Sequence, residues 1–327
     1  MVRSRLFHLH LLVALLVATS LLLLPGCVRE APEPLRVGTV LWPGHEPLFL
    51  ARQLGYLDER KVRLVEYSSL TEEVRAFRNG AVQAVGVTLD MALQLEQHGF
   101  HPKVVLVLDA SMGGDAVVAR PELRTLGDLR GRRVAVEDSG VSLFVLSRAL
   151  EHAGLKPTDL DVVHLPVDEH MRALQERQVD AVVTFEPYAS RLLEEGARRL
   201  FDSTQIPGEV LDVLVTTGET TARNPEALRH LSQAWFKALA YLEAHPDEAL
   251  SRMSPRLQTT DAELARSMKG MRLIGLEENR ALLGGPTPGL LKAAATVQRL
   301  LLEMGILPRR VELEALPTPE ALEGSGE

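Results

Sequence analysis

The stretch that most constrains the fold is residues 35–58, where a strand pattern passes into a helix pattern through a tight loop. Residues 35–41 are mostly apolar and β-branched, which is typical of a buried strand. Pro43 and Gly44 end that strand, because proline lacks a backbone donor and glycine favours a sharp turn. From Glu46 the apolar residues follow helical spacing. Such a unit places its loop at the carboxyl edge of a sheet, where open α/β sheets bind ligands.

The same alternation of strand and helix patterns continues to residue 217, and it predicts two blocks of sheet. We predict an α/β fold of two lobes, each a mostly parallel sheet flanked by helices. Two hinge crossings are expected near residues 117–120 and 211–217, and the carboxyl-terminal third shows only helical patterns. The predicted strands after the first are residues 62–67, 84–87, 104–108, 116–119, 134–136, 162–165, 181–185 and 213–217.

Residues 1–34 have the pattern of an export signal and a linker. Two arginines precede an apolar core at residues 11–24, which is shorter than the roughly 20 residues of a membrane-spanning helix. Cys27 is the only cysteine of the chain and stands where a bacterial lipoprotein signal is cleaved and lipidated. We therefore predict a signal peptide at residues 1–26 and a lipid anchor at Cys27. An ordinary signal peptide followed by an unmodified cysteine is the alternative.

Composition excludes several functional classes. The formal net charge is −8, and no basic cluster or aromatic–basic interleaving is present, which argues against nucleic-acid binding. A single cysteine cannot form an internal disulfide. No cluster of His, Cys, Asp or Glu has the spacing of a metal site, and no phosphate loop or nucleophile–base motif occurs. The sequence therefore predicts no metal, no cofactor and no enzymatic activity.

Polar side chains beside small residues stand at the ends of several predicted strands. If the strands of each lobe are parallel, these ends lie along one edge of each sheet, and two facing lobes bring them to one pocket. The helix that starts near Gly140 adds bare N–H groups, which can bind an anion. The candidate ligand-binding residues are Trp42, Gly44, His45, Glu46, Thr88, Asp90, Asp109, Ser111, Ser139, Gly140, Val141, Ser142 and Glu186.

A structural role is an open alternative for most of these candidates. Trp42 could cover the edge of its lobe instead of stacking on a flat ligand, and His45 could face solvent. Glu186 could simply end its strand, because the proline that follows favours an extended backbone. The remaining alternatives are helix caps at Ser139 and Ser142 and hinge or turn partners at Asp109, Asp115 and Asp212.

The charges at these strand ends bear on the ligand. An oxyanion usually attracts a bidentate arginine, and none of the strand ends carries one. Their charged side chains are acidic and suit an amine or a protonated heterocycle, to which Trp42 would offer a ring face. A helix N-terminus alone can also hold an anion, so nitrate stays open. The acidic residues concerned are Asp90, Asp109, Asp138 and Glu186.

Several short motifs occur in order between residues 35 and 217. They are residues 42–56 with Asp58, Ser111-Met112-Gly113-Gly114-Asp115, Asp128-Leu129-Arg130-Gly131, Val179-Asp180-Ala181, Phe185-Glu186-Pro187, Asp202-Ser203 and Ile206-Pro207-Gly208. Together these motifs resemble the nitrate/sulfonate/taurine-type and thiamine-pyrimidine-like substrate-binding proteins of ABC importers.

The resemblance implies a type II periplasmic-binding-protein fold and a small polar organic solute that is captured between the lobes and delivered to a permease. The implied partners are the small-molecule ligand, the ABC permease and ATPase complex, and the membrane through Cys27. The protein is then a monomer outside the cytoplasm, lipid-anchored to the bacterial membrane. A ligand-sensing lobe that feeds a membrane receptor would have the same pocket. An enzyme of this type that makes the thiamine pyrimidine uses a Cys-rich segment and iron, but no cysteine follows Cys27.

These expectations divide the chain into six segments. The signal peptide and linker come first, then two lobes of which the first is completed late in the chain. The segments are residues 1–26 for the signal peptide, 27–34 for the linker, 35–117 for the first part of lobe 1, 118–213 for lobe 2, 214–316 for the mostly helical second part of lobe 1, and 317–327 for a flexible tail.

Overall fold

The computed structural model describes residues 33–137 and 140–325. The predicted signal peptide, Cys27 and Ser139 lie outside these residues. Within the described ranges, no helix is both long enough and apolar enough to cross a membrane. From Pro34 onward the chain forms one compact unit.

The strands of the described residues form two sheets. The strand order is β11-β4-β10-β3-β1-β2 in the first sheet and β7-β6-β8-β5-β9 in the second. The strands are β1 (Leu35–Val40), β2 (Val62–Tyr67), β3 (Ala84–Thr88), β4 (Pro102–Ser111), β5 (Asp115–Ala119), β6 (Arg133–Val136), β7 (Asp161–His164), β8 (Ala181–Phe185), β9 (Arg198–Asp202), β10 (Leu211–Thr217) and β11 (Met271–Leu273).

Helices flank both sheets and make up most of the carboxyl-terminal third. The α-helices are α1 (Glu46–Gln53), α2 (Leu70–Arg78), α3 (Leu89–Gln97), α4 (Gly140–Ala153), α5 (His170–Gln175), α6 (Tyr188–Glu194), α7 (Gly218–Arg223), α8 (Pro225–Ala244), α9 (Pro246–Met253), α10 (Asp261–Met268), α11 (Leu276–Leu283) and α12 (Gly289–Glu303).

Most strands of each sheet point in the same direction. In the first sheet β1 is parallel to β2 and β3, and β10 is antiparallel to both β3 and β4. Strand β4 therefore points the same way as β1, whereas β10 and β11 are reversed. In the second sheet β6 is parallel to β7 and β8, and β5 is antiparallel to β8 and β9. The predicted two-lobed, mostly parallel α/β fold is confirmed.

The pattern of burial follows the position of each strand. All five residues of the central strand β3 are buried, as expected for a strand covered on both faces. The edge strand β2 instead alternates, with Val62 buried and Arg63 exposed. Helix α2 begins where the hydroxyl of Ser69 accepts a hydrogen bond from the Glu72 amide at 3.2 Å, which satisfies one free N–H of its first turn. Strand burial and helix capping thus explain the local structure of these parts of the first lobe.

The chain passes between the sheets at two places that differ from the predicted crossings. The first passage lies between the end of β4 at Ser111 and the start of β5 at Asp115, and the second lies between β9 and β10. The predicted crossings at 117–120 and 211–217 fall largely within strands β5 and β10. The apolar run of β5 predicts a strand, but its residues carry no signal that tells which sheet they join.

Two short strands are absent from the sequence-based prediction. Strand β9 begins with two arginines at the edge of the second sheet, where exposed charges hide the apolar pattern. Strand β11 has only three residues and pairs with the end of β4. The expectation that only helices follow residue 217 is therefore wrong at this one strand.

The segment after Leu316 is packed on the first lobe, so the predicted flexible tail is wrong for residues 317–325. The amide of Val104 donates to the Leu316 carbonyl at 2.7 Å, and the Thr318 amide donates to the Val104 carbonyl at 3.0 Å. A short 3₁₀ helix follows at Pro319–Leu322 and buries Leu322. This segment extends the sheet along the part of β4 that β11 leaves free.

Candidate functional site

One cavity lies between the two sheets, at the edge where their polar strand ends meet. In the first lobe its walls come from the end of β1, the loop after it, the start of α2, and strands β3 and β10. In the second lobe they come from β5, β8 and the start of α4. The lining residues are Val40, Trp42, His45, Leu70, Thr88, Asp115, Val141, Phe185 and Asp212. Of the predicted candidates, the structure thus brings Trp42, His45, Thr88 and Val141 together.

Three neighbouring strands of the first sheet place polar side chains in one row. Asp212 on β10 is level with Thr88 on β3 and with Asp109 on β4. Asp109 is fully buried, and its Oδ2 accepts a hydrogen bond from Nε1 of Trp42 at 3.1 Å. A Cβ at Gly44 would lie 2.0 Å from the same Oδ2, so only glycine fits beside this bond. The predicted residues Asp109 and Gly44 therefore orient Trp42 from behind the cavity wall.

An aromatic side chain from each lobe faces the cavity. The rings of Trp42 and Phe185 are 5.9 Å apart at an interplanar angle of 81°, an edge-to-face contact. Phe185 at the end of β8 is level with Asp115 at the start of β5. The second lobe therefore presents an aromatic ring and a carboxyl group side by side.

Burial disfavours the charged form of the carboxyl groups at the cavity. It raises the pKa of Asp115 to about 7, and the nearby charge of Asp109 adds to the effect. It raises the pKa of Asp109 to about 6. The pKa of Asp212 lies well above its ordinary value, because of burial first and the charge of Asp109 second. A change in the charge that the cavity holds would therefore change the protonation of Asp109 and Asp115 near neutral pH.

His45 is a neutral imidazole in the cavity wall. Its side chain is 1 % exposed, and burial, aided by the charge of Arg256, lowers its pKa to about 3. Within the described residues neither ring nitrogen makes a hydrogen bond of normal geometry. The ring packs on Gly86, where a Cβ would come within 2.9 Å of Cε1. The ring also interacts with the Val40 backbone carbonyl, which opposes the lowering of its pKa. His45 therefore offers the cavity one acceptor nitrogen.

Three predicted residues are held by other side chains and do not line the cavity. Glu46 is fully buried, and its Oε1 accepts a hydrogen bond from Nε of Arg256 at 2.9 Å. The Ser111 hydroxyl lies 2.7 Å from that of Ser203. Glu186 accepts hydrogen bonds from the hydroxyl and amide of Ser190. In this structure all three side chains support neighbouring segments.

The remaining candidates lie where α3 of the first lobe approaches α4 of the second. A Cβ at Gly140 would lie 2.4 Å from Oδ2 of Asp90 and 2.1 Å from Nε2 of Gln94. Burial raises the pKa of Asp90 to about 6. Ser142 is buried two residues further along α4, and Ser139 lies outside the described residues. Gly140 and Asp90 thus belong to a contact between the lobes rather than to the cavity wall.

Asp115 and Asp212 line the cavity, whereas the sequence left them open as either ligand contacts or hinge and turn partners. Both stand at the amino ends of reversed strands, β5 and β10. The amino end of a reversed strand lies at the same edge as the carboxyl ends of its neighbours. An acidic residue just before an apolar run is the only signal in the sequence, and strand direction is needed to use it.

The cavity is narrow. The room that it leaves for the centre of a water molecule is about 20 Å³, which is close to the space of one water. An organic solute that occupies this place therefore requires the lobes to move apart, a motion that the two crossings allow.

Two α/β lobes joined by two crossings around one cavity define the bilobal fold of periplasmic binding proteins. The chain belongs to the NMT1-like family, which it matches over residues 29–254.

Individual relatives agree with this assignment. The chain is 26 % identical to the taurine-binding periplasmic protein of Escherichia coli (strain K12), over 74 % of this chain and 78 % of the relative. The alkanesulfonate-binding protein SsuA from Xanthomonas axonopodis pv. citri, solved bound to MOPS, matches with a TM-score of 0.73 at 20 % identity, over 86 % of this chain and 96 % of that one. The desulfurization enzyme DSZB shares the fold with a TM-score of 0.67 at 17 % identity, over 90 % and 99 % of the two chains.

Proposed function

We propose that the chain is the extracytoplasmic solute-binding component of an ABC importer. It captures a small polar organic solute between its lobes and delivers it to a membrane permease and its ATPase. The observation that carries this proposal is the convergence of polar and aromatic side chains from two separate sheets on one cavity. The names of the taurine-binding and alkanesulfonate-binding relatives support solute capture.

We favour binding over catalysis, although an enzyme shares the fold. The cavity wall combines aliphatic and aromatic side chains with two carboxyls, which suits a site that holds a solute and releases it unchanged. The neutral His45 has a pKa of about 3, far from the value near the working pH that suits a general base. Purified protein incubated with a bound solute should return it chemically unaltered, as mass spectrometry of the recovered solute would show.

The lipid anchor is a separate part of the proposal and rests on the sequence alone. Cleavage before Cys27 and acylation of that residue would attach the protein to the bacterial membrane through residues 27–34. Metabolic labelling with an alkyne analogue of palmitate should mark the wild-type protein and leave Cys27→Ser unmarked. Equal labelling of both proteins would contradict the anchor and leave solute capture unaffected.

Solute capture can be tested by thermal unfolding of the purified chain without residues 1–26. A solute that binds only the folded state raises the stability by about 2.7 kcal/mol at a concentration of one hundred times Kd. The probes are taurine, alkanesulfonates, nitrate and aminopyrimidines. A panel in which none changes the melting temperature would contradict binding of these solute classes.

Delivery to a permease needs its own measurement, because a sensor that feeds a membrane receptor would bind solute equally well. Proteoliposomes that hold the permease and ATPase of the same organism should accumulate labelled solute only when this protein and ATP are present. Binding without any ATP-dependent uptake would favour the sensor.

A further inference from the structure

We propose that the solute is a small organic cation, held by the carboxylates of Asp115 and Asp212 between the rings of Trp42 and Phe185. This inference rests on the proposed function and names the chemical class of its solute. The sulfonate-binding relatives are named for a different class of solute.

The first argument is the excess of acidic groups at the cavity. Asp115 and Asp212 line it, and Asp109 lies directly behind the row. Among the described residues that line the cavity, none is lysine or arginine. Without a solute, burial keeps protons on these carboxyls, and Asp212 shares a side-chain hydrogen bond with Asp109. A cation would supply the opposite charge that lets the carboxyls ionise, whereas an anion would not.

Arg256, whose charge acts on His45, and Arg199 are both paired with other carboxylates. Arg256 pairs with Glu46 and stacks over the ring of Phe49, with its guanidinium carbon 3.4 Å from the ring centre. Arg199 lies 3.7 Å from Glu186 and 3.2 Å from Asp202. Neither guanidinium lines the cavity, so neither compensates Asp115 or Asp212 directly.

The second, independent argument is His45. This side chain is almost completely buried and lines the cavity. Neither ring nitrogen makes a hydrogen bond of normal geometry in the described residues, and one of them interacts with the Val40 backbone. As a neutral ring it carries one acceptor nitrogen, and an acceptor is the complement of a protonated N–H. A buried polar group left without a partner costs free energy that a bound N–H would recover.

The third argument is the pair of aromatic rings. Trp42 and Phe185 approach from different lobes, and a cation near the face of such a ring gains electrostatic attraction. Closure of the lobes brings both rings and both carboxyls to the same solute. A small cation with a flat or methylated nitrogen group fits this combination.

The fourth argument concerns a helix end, which is a kind of site where anions often bind. The N-terminus of α4 faces the first lobe, and helix N-termini favour negative charge. The carboxylate of Asp90 already lies there, because its Oδ2 is 2.4 Å from where a Gly140 Cβ would be. An oxyanion at this helix end would meet the negative charge of Asp90.

Isothermal titration with probes that differ in charge tests the inference. Ethylammonium, choline and an aminomethylpyrimidine form the cationic set, ethanesulfonate and nitrate form the anionic set, and taurine carries both charges. We expect at least one cation to bind about tenfold or more tightly than ethanesulfonate, with affinity that rises from pH 5 to pH 8. Because binding favours the ionised carboxyls, each such titration should also release protons into the buffer.

Several groups contribute to this pH dependence. Asp115 has a pKa of about 7, so its ionisation falls within the window. The buried groups that act on the lining carboxyls and on His45 are Asp90, Asp109, Glu186 and Arg256.

Substitution of each carboxyl group tests whether it binds the cation itself or only adds to the overall negative charge of the protein. Asp115→Asn and Asp212→Asn should each weaken the bound cation by about tenfold or more. Asp247→Asn, an exposed position at the start of α9, is the matched control and should leave affinity unchanged. Melting curves of each variant show whether it is folded before titration.

The outcomes distinguish this inference from the proposed function. Tight ethanesulfonate binding that both Asp→Asn variants leave intact would overturn the cation assignment and uphold solute capture. A thermal shift with calcium or zinc chloride alone, equal to that of the organic cations, would also overturn it. A panel with no binding at all would overturn the cation assignment together with binding of the sulfonate and nitrate classes.

Discussion

Substitution of Gly44 by alanine tests the support behind Trp42. The added Cβ would lie 2.0 Å from Oδ2 of Asp109 and 2.3 Å from Nε1 of Trp42. Both distances are far inside van der Waals contact, and both atoms belong to buried side chains. The methyl group therefore has to break the Trp42–Asp109 hydrogen bond or displace the loop that carries Trp42.

The expected cost follows from these two routes. Loss of a hydrogen bond to a buried carboxyl costs about 1.5–3 kcal/mol, and overpacking a tight site costs about 1–3 kcal/mol. Breaking the hydrogen bond makes room for the methyl group, so the two costs do not simply add. We therefore expect the free energy of unfolding to fall by about 3 kcal/mol. For a chain of about 300 residues that corresponds to a fall in melting temperature of roughly 5 °C. The position of Trp42 also changes, so solute affinity should fall as well.

Thermal unfolding followed by circular dichroism measures the stability, and titration measures the affinity. Gly218→Ala is the matched control, because its Cβ would meet only Cε of Lys103 at an ordinary 3.7 Å. That control should remain within about 0.5 kcal/mol of the wild type. If Gly44→Ala melts and binds like the wild type, the close packing of Trp42 on Asp109 does not hold in solution.

Three further substitutions have distinct expected results. Trp42→Phe keeps a ring but removes the N–H that Asp109 accepts, so solute affinity measured by titration should fall several-fold; unchanged affinity would place the solute elsewhere. Arg256→Met leaves the buried Glu46 carboxylate unpaired and should cost about 3–5 kcal/mol in urea unfolding, and the added change Glu46→Gln should recover most of it. Burial raises the pKa of Asp115 from 3.8 to about 7, so the folded state keeps a proton there that the unfolded chain loses. Without solute, the wild type should therefore lose stability relative to Asp115→Asn as pH rises from 4 to 7, by at most about 1.4 kcal/mol per pH unit; a constant difference would contradict this.

The fold was largely predictable because strand and helix patterns are local. Strands β1 and β3, and the helices that follow them, come from short runs whose apolar spacing is clear. Strands β9 and β11 were missed because edge strands need few apolar residues. The packing of the last segment was missed for the same kind of reason, since Val104 and Leu316 are partners over more than two hundred residues of chain.

The site was only partly predictable because it depends on partners that are distant in the sequence. The rule that ligands meet the carboxyl ends of strands correctly led to Trp42 and Thr88 as cavity residues. The same rule overlooks Asp115 and Asp212, because these begin reversed strands. The sequence predicts Glu46 as a ligand contact, but its carboxylate pairs with Arg256, which lies 210 residues later. Pairing across such separations has no local signature.

The first passage between the lobes has a consequence for how they rotate. The amides of Met112 and Gly114, on either side of the turn, both donate to the carbonyl of Gly270, at 2.7 and 2.8 Å. A Cβ at Gly270 would lie 3.1 Å from the Gly114 backbone. The turn between α10 and β11 therefore clamps this passage, beside Trp42 and Asp115 of the cavity wall, and the amplitude of opening is set in part by a segment that comes late in the chain.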